Sequence, residues 1–399
     1  TGAALARFLL HNSNRKIVVI CPRKVSGNWE KTLAQFGIEA KLIINLETLV
    51  RGKTKWLKYR RATKQENADG IKKMMLAVLK FPSDWFIILD EVHRCKGTTS
   101  LSAGALMAIK RQGYQFHITS GTAATSPLDM RALGYALGLH DGTMREFKKF
   151  CMNAGAVEKG HHGAMVFVND CPVAKAKMKQ VHHYIFDDMK MGSRLERSDF
   201  KGIFPNNQII AEALDMGDNT DRIQAAYEEM DAEIARLMER ESNYSEHIFA
   251  VMSAARKKIE MLKVPTLVEI MEDSYEAGRT PLLFVSFTDT IEAVYKRLSY
   301  IIDPALIGLI YGERTERQQL EDIEMLAQDK RRAIIANLAS GGESVNMQDF
   351  TGVFPREGII NVSWNAIKVV QAACRHDRAH AKSDVITRFP FADNTCEVP

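Results

Sequence analysis

The chain has no apolar run approaching the roughly 18 residues a membrane helix needs, so no stretch of it reads as a membrane span. It also lacks the basic, apolar, small-residue order of a secretory leader at its start. Cysteine is sparse, six in 399 residues, at positions 21, 95, 151, 171, 374 and 396, with no Cys-x-x-Cys pair. Scattered free thiols in a reducing, intracellular compartment fit that spacing best. Cys151, His161, His162, Cys171, His182 and His183 are zinc-ligand residue types, but their intervals match no standard site and they read better as loop and surface residues. Acidic residues are scarce in the first fifth. Residues 1–80 hold 17 Lys and Arg against 5 Asp and Glu, so a chain of net charge +5 is +12 there and −7 elsewhere. A basic face of this kind is the electrostatic footprint of a polyanionic partner.

What is present is organised around Trp85-Phe86-Ile87-Ile88-Leu89-Asp90-Glu91-Val92-His93-Arg94-Cys95-Lys96-Gly97. Five consecutive apolar residues, too few for a helix, read as a strand buried on both faces. In a parallel α/β sheet, ligands sit outside the carboxyl ends of the strands, where Asp90 and Glu91 follow. Neighbours on an extended backbone point opposite ways, so the pair is expected to divide two tasks. One carboxylate holds a hydrated magnesium ion while the other orients a water molecule, as phosphoryl transfer from ATP requires. The plainer reading of an acidic pair after a strand is a helix start, and the dipeptide alone favours it. The flanks favour the other. Ile-Ile-Leu-Asp-Glu-Val-His-Arg-Cys-Lys-Gly resembles the Walker B box of superfamily-two helicases, in the form used by the Swi/Snf branch, an apolar run followed by Asp-Glu-Ala-His-Arg-Ile-Lys-Asn.

Other segments resemble that branch in the same order. Thr1-Gly2-Ala3-Ala4-Leu5-Ala6 is similar to the helix that follows the phosphate loop. The resemblance implies that Thr1 supplies a hydroxyl to magnesium, that Thr1, Gly2 and Asp90 contact the nucleotide, and that the loop's glycines and lysine lie just before the first residue. Lys16 to Cys21 reads as a strand, and Pro22-Arg23-Lys24-Val25-Ser26-Gly27-Asn28-Trp29 resembles motif Ia. Arg23, Lys24, Ser26 and Asn28 at a helix start would suit a DNA phosphate, although Arg-Lys in a turn is more often just solvated and Trp29 reads as core. After a third strand ending at Asn45, motif Ib is followed by a run from Arg51 to Lys64 with seven cations, no acid, and Trp56 and Tyr59 interleaved. Such runs are often solvated faces. Beside motif Ib, Lys53, Lys55, Arg60 and Arg61 become candidate backbone contacts. Gln115 to Thr119 reads as a strand leading into Ser120-Gly121-Thr122-Ala123, similar to motif III. The resemblance gives His93, Ser120 and Thr122 the role of relaying the state of the magnesium site; Ala123 stands where the family has proline.

Residues 140–262 differ. Phe147-Lys-Lys-Phe150-Cys151 and the stretch from Met191 to Pro205 resemble family segments, and apolar residues at 223, 227, 230, 234 and 237 step by three and four, as on an amphipathic helix. The α/β pattern then returns. Pro281 to Val285 reads as a strand before Ser286-Phe287-Thr288-Asp289, similar to motif IV, with Ser286 and Thr288 as candidate nucleic-acid contacts. Ile307 to Tyr311 and Arg332 to Ala336 read as further strands. Ser340-Gly341-Gly342 belongs to a segment resembling motif V, where successive glycines let a nucleic-acid strand approach closely; Ser344 replaces a family glycine. Trp364-Asn365-Ala366-Ile367-Lys368-Val369-Val370-Gln371-Ala372-Ala373-Cys374-Arg375-His376-Asp377-Arg378 resembles motif VI. Arg375 and Arg378, three apart, are expected on one helix face. A surface pair is the ordinary fate of that spacing; the resemblance makes them, with Gln371, catalytic groups that act on the transferring phosphoryl.

The expected fold is α/β: two RecA-like parallel-sheet lobes, residues 1–139 and 263–399, with a helical insertion at 140–262. The resemblance implies an ATP- and magnesium-dependent translocase on double-stranded DNA, with nucleotide bound where the lobes face each other and Glu91 activating water. Alternatives are a strand-separating helicase on DNA or RNA and, in a different class, a catalytically silent nucleic-acid-binding scaffold. No membrane partner is expected, a monomer is the working expectation, and the compact build fits a phage or prokaryotic origin.

Overall fold

The computed structural model describes the chain outside residues 1–5, 8–14, 53, 122, 160–163, 169–170, 196–198, 201, 240–244, 339–344, 363–364 and 399. It forms two compact units, Thr1–Leu195 and Glu196–Pro399. The segment 140–262 is shared between them, its first part falling in the first unit and the rest in the second.

In the first unit the described elements are β1 (Lys16–Cys21), α1 (Ser26–Gln35), β2 (Leu42–Asn45), α2 (Leu46–Val50), β3 (Leu57–Arg61), β4 (Met75–Leu79), β5 (Trp85–Asp90), α3 (Leu101–Arg111), β6 (Gln115–Thr119), α4 (Arg131–Leu137), α5 (Met144–Asn153), β7 (Val157–Lys159), β8 (Ala164–Val166) and α6 (Pro172–His183). Strands β2-β1-β5-β6 make one sheet, and every pairing in it is parallel. The two central strands are apolar from Ile17 to Cys21 and from Trp85 to Leu89 because both faces are covered there. Side chains alternate across a pleat, so Val18, Ile20, Ile87 and Leu89 enter one core, while Ile17, Val19, Phe86 and Ile88 enter another on the opposite face. The hairpins β3-β4 and β7-β8 stand apart from the sheet.

The second unit contains β9 (Asn207–Leu214), α7 (Thr220–Glu239), α8 (Ser245–Leu262), α9 (Val264–Glu276), β10 (Thr280–Val285), α10 (Thr288–Leu298), β11 (Ile307–Ile310), α11 (Glu316–Ala327), β12 (Ala333–Asn337), β13 (Arg356–Ile360), α12 (Ala366–Ala373) and β14 (Val385–Ala392). Six strands pair in the order β11-β12-β10-β13-β14-β9, again all parallel. The same alternation sends Leu283, Val285, Ile335 and Ile359 to one face and Leu282, Phe284, Ile334 and Ile360 to the other. The amphipathic pattern beyond residue 219 becomes two helices, α7 and α8, which flank 240–244.

Two features of the second unit bear on its loops. Arg356, wholly buried at the start of β13, bonds through its terminal nitrogens to Asp329 at 2.8 Å, Thr280 Oγ1 and the carbonyls of Phe354 and Leu326. At Gly358, a Cβ would come within 2.1 Å of the His376 ring. Only glycine lets that imidazole lie against the strand.

Candidate functional site

Asp90 ends β5 and pairs in register with Thr119, the last residue of β6. A parallel sheet therefore sets a hydroxyl beside the carboxylate, and Thr119 Oγ1 donates to Asp90 Oδ1 at 2.6 Å. The same oxygen accepts from the backbone N–H of Glu91 at 3.0 Å. The other oxygen, Oδ2, accepts from the indole Nε1 of Trp29 on α1 at 2.8 Å. Three donors against the roughly four lone-pair sites of an ionised carboxylate leave acceptor capacity. Magnesium typically stays hydrated and is held through one or two carboxylates plus phosphate; Asp90 fits that chemistry.

Glu91 corrects one sequence expectation. It is not on extended backbone: its φ is 56° and ψ 54°, the left-handed region. The chain turns sharply there into a short 3-10 turn at Val92–Cys95. The two carboxylates still part company, but through this turn rather than through strand alternation. Glu91 Oε2 lies 3.0 Å from His93 Nδ1, and the same nitrogen is 3.3 Å from Ser120 Oγ. The structure thus connects Glu91, His93 and Ser120. Arg94, one residue on, pairs with Glu47 of α2, tying the turn to the segment read as motif Ib.

Cys21, at the end of β1, is buried. Burial first, then the nearby Asp90, Glu47 and Glu30 charges, push its thiol up to about 12; it is inert packing, not a nucleophile.

The candidate nucleic-acid residues of the first unit separate on inspection. Arg23 and Asn28 are exposed, and Lys24 lies in the 3-10 turn Arg23–Val25 that leads into α1. Ser26 is committed locally, its Oγ donating to the Arg23 carbonyl at 2.8 Å. The basic run is partly ordered structure. Its Arg60 forms a two-pronged pair with Glu66, at 2.7 and 2.5 Å. Lys55 sits over the Trp56 ring at 4.6 Å, and Trp56 itself packs against Phe81 and Trp85. Lys58 and Arg61 are exposed. Thr1, Gly2, Lys53 and Thr122 lie outside the described residues.

In the second unit, Ser286 and Thr288 sit between β10 and α10. The backbone N–H groups of Ser286 and Phe287 both donate to the buried Glu260 carboxylate of α8, at 2.9–3.0 Å, and Asn361 Nδ2 donates to the same group at 2.9 Å. Those amides are already filled by an internal anion. Thr288 opens α10 with no side-chain cap. Ser340, Gly341 and Gly342 lie outside the described residues.

The arginines of the motif VI segment require a correction. α12 ends at Ala373, capped at its start by Asn365 Oδ1 accepting from Lys368 N at 3.2 Å. Gln371 is on this helix; Arg375 and Arg378 are in the turns beyond it, so they do not share a helix face. The cause is His376. Its ring, 0 % exposed, lies over Gly358 with Nε2 2.9 Å from Thr387 Oγ1 and 3.2 Å from the Ile386 carbonyl. Burying it there draws the chain out of helical path. Arg375 is buried at 6 % exposure, Arg378 is half-buried, and Asp377 accepts from Asn207 Nδ2 at 2.8 Å.

Sequence reasoning missed Trp29 and Thr119 as partners of Asp90, and Glu260 altogether. Thr119 carried a signal, a hydroxyl at the end of the neighbouring strand. Trp29 carried a weaker one, a polar tip on an otherwise core-facing ring.

No protein-family model matches the chain. A protein of Acanthamoeba polyphaga mimivirus, named provisionally as an ATP-dependent RNA helicase, is 27% identical over 390 residues, covering 95% of this chain and 71% of that one. Among solved structures, the Sulfolobus solfataricus SWI2/SNF2 ATPase core in complex with double-stranded DNA is 15% identical, with 98% of this chain and 79% of that chain covered and a TM-score of 0.37. S. cerevisiae Dbp5 bound to RNA and ADP BeF3 is 11% identical, with coverage of 99% and 77% and a TM-score of 0.46. The chain is similar in sequence to the mimivirus protein along nearly its whole length.

Proposed function

We propose that the chain is the motor of an ATP-dependent translocase on double-stranded DNA, of the Swi/Snf helicase-like type. The observation that carries this reading is the acidic pair at the end of β5, with Asp90 oriented by three donors and Glu91 turned aside toward His93 and Ser120. In this reading Asp90 and Thr1 hold hydrated magnesium, and Thr1, Gly2 and Asp90 contact ATP. The metal supplies charge neutralisation on the phosphates. Glu91 orients and deprotonates the attacking water, and His93, Ser120 and Thr122 report its state. Arg375 and Arg378, with Gln371, stabilise charge on the transferred phosphoryl group. Arg23, Lys24, Asn28, Lys53, Lys55 and Arg61 are the backbone contacts of the first unit, and Thr288, Ser340, Gly341 and Gly342 those of the second.

The test is ATP hydrolysis by the full natural chain carrying this sequence, with and without duplex DNA, single-stranded DNA and RNA. Stimulation by duplex supports the proposal. Hydrolysis indifferent to every nucleic acid counts against it. The name of the mimivirus relative favours a second reading, strand separation on RNA. Displacement of a third strand from a triplex, without unwinding of a forked RNA duplex, selects the first.

A further inference from the structure

Asp90 is oriented through two different routes. Thr119 reaches Oδ1 from the neighbouring strand, a contact internal to the sheet. Trp29 reaches Oδ2 from α1, the helix whose first turn carries Ser26 and Asn28 and follows the Arg23–Val25 turn. Trp29 is half-buried, and it and Val25 both pack against the same apolar core. One residue of α1 therefore bonds the carboxylate proposed for magnesium and rests on the same core as the turn proposed for a nucleic-acid phosphate. Indole carries a single donor and no acceptor, so its bond to Asp90 is directional, and a shift of α1 moves or releases that oxygen alone.

We infer that Trp29 is a positioning residue that couples nucleic-acid contact at α1 to the Asp90 carboxylate. The inference rests on the proposed function above and adds to it a route for stimulation that stays within the first unit. It separates the two donors: Trp29 conveys what α1 touches, whereas Thr119 only steadies the carboxylate.

The experiment uses the full natural chain and two variants, Trp29→Phe, which deletes the indole donor and keeps an aromatic ring, and Thr119→Val, which deletes the hydroxyl and keeps the shape. Binding of a fluorescent ADP analogue is titrated against magnesium, with and without a short duplex DNA. Losing one hydrogen bond to a charged group corresponds to on the order of a tenfold change, so both variants are expected to need about tenfold more magnesium for half-saturation. In the wild type and in Thr119→Val, duplex lowers that magnesium requirement; in Trp29→Phe it does not. Trp29→Phe responding to duplex as the wild type does overturns the inference while leaving the proposed function standing. A wild-type chain that binds no magnesium nucleotide overturns both.

An indole NMR spectrum keeps the inference testable should Trp29→Phe not fold. The chain has four tryptophans, and Asp90→Asn identifies the indole N–H bonded to residue 90 by moving its resonance. That resonance is expected to shift when duplex is added to the wild type without nucleotide. A resonance unmoved by duplex overturns the coupling.

Discussion

The ends of β5 and β10 occupy equivalent places, each closing an inner strand of a parallel sheet, yet their chemistry is opposite. β5 delivers a carboxylate outward, held by donors that leave acceptor capacity on it. β10 delivers backbone N–H groups, and a carboxylate from α8 arrives to fill them. The first end is exposed enough to take a ligand, with Glu91 25% exposed; the second is sealed, with Glu260 3% exposed. One topology thus leaves a carboxylate with spare acceptor capacity in one unit and a filled structural joint in the other. The difference is made by which side chain reaches the edge, not by the sheet.

The largest effect should come from removing the base proposed at the end of β5. Glu91→Gln keeps the shape and the backbone turn but removes the carboxylate, and a general base is worth about a hundredfold to ten-thousandfold. We expect nucleic-acid-stimulated ATP turnover to fall by about a thousandfold, with nucleotide affinity near that of the wild type. A fall of less than tenfold would assign the water to another residue. Next is Arg378→Ala, for which a loss of about a thousandfold is expected if its guanidinium stabilises the transferring phosphoryl. Arg378 is the cleaner probe of the two arginines because it is half-buried, whereas truncating the buried Arg375 would mix turnover with folding.

The contrast can also be broken from the sealed side. Glu260→Ala strands the N–H groups of Ser286 and Phe287 and the Asn361 amide, each an unmade buried bond costing about 1–3 kcal/mol. A net loss of about 3 kcal/mol is expected. For a unit of this size that lowers the thermal midpoint by roughly 6–12 °C, measured by circular dichroism on the full natural chain. Asp90→Asn should move the midpoint far less while abolishing magnesium-dependent turnover. If both substitutions behave alike, the two strand ends do not differ as described.

How much of this could be read beforehand depends on the range of the interaction. The inner strands were legible because burial on both faces demands unbroken apolar runs, and β1 matches the expected limits, as does the edge strand β6. Asp90 and Glu91 were legible for the same reason, as the first polar residues after such a run. The left-handed turn at Glu91 was not, because nothing local forces a non-glycine residue to positive φ. Glu260 was invisible, since its partners lie 26, 27 and 101 residues away. The expectation for Arg375 and Arg378 failed through one residue between them. Helical spacing continues on paper through Arg378, but His376 is captured by a groove that exists only because position 358 lacks a side chain.

That capture yields the smallest prediction and sharpens the comparison furthest, because it concerns a polar group sealed without a charge. Among the described residues His376 Nδ1 has no hydrogen-bond partner. Burial holds the ring's pKa down at about 4, against the opposing pull of Asp377 and the Ile386 carbonyl. An unfolded chain takes up the proton near pH 6.5, so the folded form binds fewer protons between pH 6.5 and about 4. Stability should therefore be fully present above pH 6.5 and fall as the pH drops through that window, by at most about 1.4 kcal/mol per unit from this group. Urea unfolding of the wild type and His376→Asn at pH 7 and pH 5.5 measures it. The variant is less stable at pH 7, because it loses packing over Gly358, and less sensitive to acid, because position 376 no longer titrates. Equal acid sensitivity in the two proteins would mean that the turn opens to water readily enough to protonate His376 without unfolding, and the second unit's edge would then be less firmly sealed than Glu260 alone makes it.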